Sequence, residues 1–176
     1  MLENISEPAT SKETEPRIIK GVIAVILSQD EKILVAQETE DKPYMDKKRG
    51  DWTIPAETIE KGETELEAVL RLIKEEVGEN GDITCNPEND WIGDYQFEKG
   101  INIWGRAYLL HFSGTSETSR SFTAEREELV NHQWVKPEEI INMARRKGVL
   151  EIIEDFRAGR RGIIKEECSP GFRPSQ

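Results

Sequence analysis

Residues 63–79, ETELEAVLRLIKEEVGE, form the stretch whose reading decides the fold. Thr64, followed three residues later by Glu67, makes a capping box: the hydroxyl accepts a backbone N–H of the first turn, and the carboxylate reaches back to the N–H of the cap. Leu66, Val69, Leu70, Ile73 and Val77 recur at helical spacing. One face of a helix over 64–78 is therefore expected to pack against a core, through Leu66, Leu70 and Ile73. Gly78 is a natural stop, because glycine tolerates the left-handed backbone that closes a helix. Glu75 and Glu76 lie away from the apolar stripe. Arg71 stands four residues before Glu75, within reach of an ion pair. Taken alone, this pattern describes a solvated helix face.

The flanks give it a context. Upstream, IIKGVIAVILS (18–28) reads as a buried strand, QDEK (29–32) as a turn and ILVAQ (33–37) as the return strand of a hairpin. Residues 38–51 are charged and carry proline and glycine, a loop suited to substrate contacts. A short strand over 52–55 and a loop over 56–63 lead into the helix. Downstream, a short strand is expected near Ile83, followed by strands over 91–97 and 101–112 joined by a turn at Lys99-Gly100. After a polar loop over 113–128 come a strand over 132–135, a helix opened by Pro137 and a last helix over about 149–157. Residues 1–16 have no hydrophobic period and are expected to be disordered. Residues 17–165 make the domain, and 166–176 are expected to form a flexible tail. Strands with inserted helices, rather than a regular alternation, indicate an α+β fold on a mixed β-sheet.

Trp52-Thr53-Ile54-Pro55-Ala56-Glu57, then Glu63, then Arg71-Leu72-Ile73-Lys74-Glu75-Glu76-Val77-Gly78-Glu79, resembles the box of the Nudix hydrolase family. That box runs glycine, five residues, Glu, seven residues, Arg-Glu-aliphatic-any-Glu-Glu-any-Gly-aliphatic. Glu63, Arg71, Ile73, Glu75, Glu76 and Gly78 match at the required spacing. Glu57 stands at the box glycine, Leu72 at the first helix Glu, and Glu79 at the last aliphatic position. Trp134 to Ile140 also resembles the family's late strand and terminal helix. The resemblance covers residues from about 18 to 158 and implies a Nudix-like α/β/α sandwich. It implies hydrolysis of a nucleoside diphosphate-linked small molecule, with magnesium or manganese held by Glu75 and Glu76. It also implies Glu128 as a late-loop ligand or base, and Glu63 and Arg71 as residues that orient the loop and helix. Glu57, Glu79, Glu125 and Glu127 are further carboxylates that could compensate for Leu72. Helical spacing places Leu72 beside Glu75 and Glu76, so Leu72→Glu is expected to restore a metal ligand. The alternative is a Nudix-fold binding or regulatory module without turnover.

Composition narrows the partners. A formal net charge of −11 over 176 residues repels bulk nucleic acid. It admits a small nucleotide derivative, because a divalent cation bridges acidic side chains to phosphate. No apolar run approaches the roughly 18 residues of a membrane span, and no secretory signal leads the chain. A cytoplasmic protein without membrane partners is expected, and a homodimer is left open. Cys85 and Cys168 lack metal-ligand spacing and are expected as free thiols. His111, His132, Trp91 and Trp104 are expected to pack in the sheet rather than to act. The basic stretches 145–147 and 157–161 are expected as solvated helix ends.

Overall fold

The computed structural model describes residues 18–78, 82–98, 102–118, 128–166, 168, 169, 171 and 172. The expectations for residues 1–16, for the Lys99-Gly100 turn and for Glu79, Glu125 and Glu127 lie outside them. The central strand is β1 (Ile19–Leu27), the most apolar run of the chain. It turns into β2 (Ile33–Glu38), with Leu27 opposite Ile33, as the hairpin pattern requires. Further strands are β3 (Trp52–Thr53), β4 (Ala56–Thr58), β5 (Ile83–Cys85), β6 (Trp91–Glu98), β7 (Ile103–Phe112), β8 (Leu129–Val135) and β9 (Ile163–Lys165). The main path runs β3-β2-β1-β7-β6-β9, while β4 pairs with β1, β5 with β7 and β8 with β2. The β1–β7 pair is parallel, from Ile19 opposite Ile103 to Leu27 opposite His111. The sheet is therefore mixed.

Helices cover both faces of this sheet, which explains why β1 is a nearly continuous apolar run rather than an alternating one. Val22, Ala24 and Ile26 face α1 (Glu65–Leu72) and the turn after it, where they pack with Ala68, Val69, Leu72, Ile73 and Val77. Ile23 and Val25 face α2 (Val149–Arg157) and pack with Val149, Ile152 and Ile153. No helix among the described residues is long and apolar enough to cross a membrane.

Several expectations need correction. Residues 56–63 are not all loop, because Ala56–Thr58 adds a strand that pairs with β1 across Gly21, Val22 and Ile23. Pro137 opens only a 3₁₀ segment, Pro137–Asn142, before the chain turns extended at Met143. The α1 face is also rotated from the one expected. Leu66 and Leu70 are 43% and 56% exposed, whereas Ala68, Val69 and Leu72 are buried. Two overlapping stripes satisfy the helical periodicity, and contact with the sheet selects the one through Leu72. Cys85 and Cys168 are free thiols. Cys168 is buried, with its N–H donating to the Gln96 carbonyl at 3.0 Å, and Phe172 pairs with Arg145.

Candidate active site

The box helix begins as its sequence dictates. Thr64 Oγ1 accepts from the Glu67 N–H at 3.2 Å, and a Glu67 carboxylate oxygen accepts from the Thr64 N–H at 2.7 Å. The regular helix ends at Leu72 and continues as one π-type turn, Ile73–Val77, instead of running in α form to Gly78. Gly78, at φ 78°, closes it by donating to the Ile73 carbonyl at 2.8 Å. That left-handed backbone is why glycine stands there. Such wide turns are frequent at functional sites.

Arg71 organises the loop in front of this turn. Its Nε and Nη2 donate to the two carboxylate oxygens of Glu63 at 2.8 and 3.0 Å, and Nη2 also reaches the Thr58 carbonyl at 2.7 Å. Nη1 meets Glu75 at 3.3 Å and Glu57 at 3.4 Å. The fork-shaped guanidinium suits such a network, because its five donors are fixed in one plane. Charge-assisted bonds from Arg71 and the Glu60 N–H hold the Glu63 carboxyl down at about 2. Glu57 responds in the opposite sense. Burial pushes its carboxyl above the ordinary value, Arg71 opposes this, and the negative charges of Glu128 and Glu75 add to it. Glu57, Glu75 and Glu128 thus share one neighbourhood. Glu128 sits at the entry to β8, where its carbonyl accepts from Thr39 Oγ1 at 3.0 Å.

The two adjacent helix carboxylates part company. Glu75 stays with Arg71, whereas Glu76 is 1% exposed. The Glu76 carbonyl lies 2.8 Å from His132 Nε2, and burial pushes that imidazole below its ordinary pKa. Leu72, one helical turn before Glu76, is 0% exposed within the core packed on β1. The expectation that Leu72 borders an open metal face is therefore wrong: its side chain faces the sheet. Among the described residues, no three carboxylate, imidazole or thiolate groups stand together as a ready-made metal cage.

A cleft of about 300 Å³ lies beside Glu57 and Glu128, which share a neighbourhood with Glu75. Glu57 and Glu128 contribute to its lining, and so do Lys42, Lys47, Arg146 and Lys147. Ile23, Ile103, Val149 and the ring of Phe97 supply apolar surface. Gly148, at φ 82°, admits that ring, since a Cβ there would fall 2.4 Å from it. Arg146 and Lys147 were expected as a solvated helix end; instead they border the cleft. The charged loop 38–51 pointed to substrate contacts, and Lys42 and Lys47 come from it. Nothing local in the sequence pointed to Arg146, Lys147 or Phe97, which reach the cleft only through folding of distant segments.

A family model described as the NUDIX domain matches residues 18–156. The chain belongs to the Nudix family. Its fold agrees: a Nudix hydrolase from Nitrosomonas europaea superposes with a TM-score of 0.64 at 23% identity, covering 83% of this chain and 93% of that one. By sequence, the Nudix domain is 35% identical over 82 residues to the human 8-oxo-dGDP phosphatase NUDT18, which is 47% of this chain but only 23% of that protein. It is 27% identical over 145 residues to the CTP pyrophosphohydrolase of Escherichia coli, covering 79% of this chain and 92% of that one. Nudix hydrolases generally use divalent metal ions.

Proposed function

We propose that this Nudix protein is a metal-dependent hydrolase of a nucleoside diphosphate-linked small molecule. One observation carries the reading: in a chain of net charge −11, a single cleft is bordered by Glu57 and Glu128 and by four cations, Lys42, Lys47, Arg146 and Lys147. Phosphate chains need both kinds of group, cations to bind their oxygens and carboxylates close by to hold a metal, and Glu57 and Glu128 share a neighbourhood with Glu75. The apolar surface at Ile23, Ile103 and Phe97 suits a nucleobase. The human 8-oxo-dGDP phosphatase and the E. coli CTP pyrophosphohydrolase, both similar to this chain, support the same substrate class.

Glu75 and Glu76 are the carboxylates assigned to magnesium or manganese. Their hard oxygens suit such ions, and magnesium takes only one or two carboxylates, so a preassembled cage is not required. When bound, the ion would neutralise charge developing on the phosphate oxygens. Glu128 is assigned as base or further ligand. The Arg71–Glu63 fork holds the loop from Thr58 to Glu63 and steadies Glu75. A second reading, a binding module without turnover, is favoured by one feature: Leu72, at the first helix Glu of the box, is buried and supplies no oxygen.

A panel of nucleoside di- and triphosphates, nucleotide sugars and dinucleoside polyphosphates, assayed with magnesium or manganese, tests the proposal. Turnover of at least one nucleotide is expected, lost in Glu75→Gln/Glu76→Gln together with calorimetric metal binding. Binding without turnover across the panel would establish the module reading instead.

A further inference from the structure

Glu38 ends β2 with its side chain 1% exposed. Its backbone is pinned from several directions. The Glu38 N–H donates to the Asp51 carbonyl at 3.0 Å, its own carbonyl accepts from Gly50 at 2.8 Å, and it pairs with Leu129, next to Glu128. Its carboxylate meets Lys47 Nζ at 2.9 Å through one oxygen and accepts from Arg146 Nη1 at 2.9 Å through the other. Both cations line the cleft. They come from segments about a hundred residues apart, and this one carboxylate ties them together.

Stability does not account for this arrangement. A buried ion triad typically contributes no more than a well-packed apolar replacement, because desolvation offsets attraction. What the triad does provide is placement. Two cations on one anion leave one positive charge in excess. Arg146 turns Nη1 to Glu38, and its guanidinium carries further donors beyond that one. Lys47 keeps further donors beyond the one turned to Glu38, and Lys42 and Lys147 add charge to the same lining. A fixed Lys–Arg pair of this kind matches a phosphate group that carries two charges and several acceptor oxygens. The terminal phosphate of a nucleoside di- or triphosphate is such a group. The phosphates of a sugar-capped diphosphate each carry one charge.

We propose that Glu38 is a positioning residue that holds Lys47 and Arg146 to receive an uncapped terminal phosphate, and so sets a preference for nucleoside di- and triphosphates over capped diphosphates. This rests on the hydrolase reading above for the identity of the ligand, but its binding test does not depend on turnover.

The test uses the full chain and inorganic tripolyphosphate as the calorimetric probe. Lys47→Met and Arg146→Met should each weaken binding by about tenfold or more, the loss of one charge-assisted contact. Glu38→Gln is the decisive variant. Removing a negative charge from the wall should strengthen anion binding if charge alone matters, whereas loss of positioning weakens it. Should Glu38→Gln fail to fold, Glu38→Asp keeps the charge but withdraws it by one methylene, and weaker binding is again expected. With a nucleotide substrate in hand, the variants should raise KM for the triphosphate by a larger factor than KM for a nucleotide sugar. Equal or tighter tripolyphosphate binding in the Glu38 variants, or equal KM changes for both substrates, overturns the proposal. If no nucleotide is turned over yet the binding losses appear, the hydrolase reading fails and the placement of Lys47 and Arg146 by Glu38 for a terminal phosphate stands. Turnover with unaffected binding gives the converse.

Discussion

Leu72→Ala and Leu72→Glu together test where the box helix turns its faces. Leu72 is 0% exposed and packs in the cluster with Val22, Ala24, Ile26 and Val69. Truncation to alanine removes a fully buried isobutyl group and leaves a cavity, at a cost of roughly 3–5 kcal/mol. For a chain of this size each kcal/mol shifts the midpoint by about 2–4 °C, so melting should fall by roughly 6–20 °C. Glutamate at this position loses the same apolar burial and adds a carboxylate that must be desolvated or protonated, several kcal/mol more. That total approaches the roughly 5–15 kcal/mol that holds a domain folded. Urea unfolding followed by tryptophan fluorescence, with the metal removed by chelator, reads both variants. Leu72→Glu should be far less stable than Leu72→Ala and should bind no more magnesium. A Leu72→Glu protein within about 1 kcal/mol of wild type that binds magnesium more tightly would refute the reasoning, and would mean that this side chain turns towards the carboxylates.

Three further outcomes follow from the site. The Glu63 carboxyl is lowered from 4.5 to about 2 in the folded protein, so its contribution is present above about pH 4.5 and is lost as the pH falls towards 2; Glu63→Gln should flatten acid denaturation monitored by circular dichroism across that window. The Glu57 carboxyl is raised, so its ionisation costs stability at neutral pH and the cost fades below its ordinary value of 4.5. Glu57→Gln should therefore raise the urea midpoint of the metal-free protein at pH 7, with the gain disappearing in acid; a lower midpoint at pH 7 would contradict the burial argument. Thr64→Ala removes the side-chain half of the capping box and should cost about 1 kcal/mol in urea unfolding, with Glu67→Ala giving a similar loss and the double variant less than the sum.

What could be read from the sequence was local or periodic. The Thr64–Glu67 cap, the stop at Gly78, the Arg71–Glu75 pair and the β1–β2 hairpin depend on residues a few positions apart, and each stands where its chemistry placed it. The box spacing from Glu63 to Gly78 likewise identified the family, because a loop and helix that share one arginine tolerate little change in length. Which face of α1 meets the sheet was not decidable in this way. Leu66 and Leu70 satisfy helical periodicity as well as Leu72 does, and only the surface offered by Val22, Ala24 and Ile26 chooses between them. The π turn, the burial of Glu76 and the divergence of two adjacent glutamates follow from the same packing. The cationic wall lay furthest from the sequence. Glu38, Lys47 and Arg146 belong to three separate segments, and a charge 108 residues away has no local signature. Their meeting is a tertiary event, decided when β2 and the approach to α2 close on the same cleft and a buried carboxylate must find its counterions.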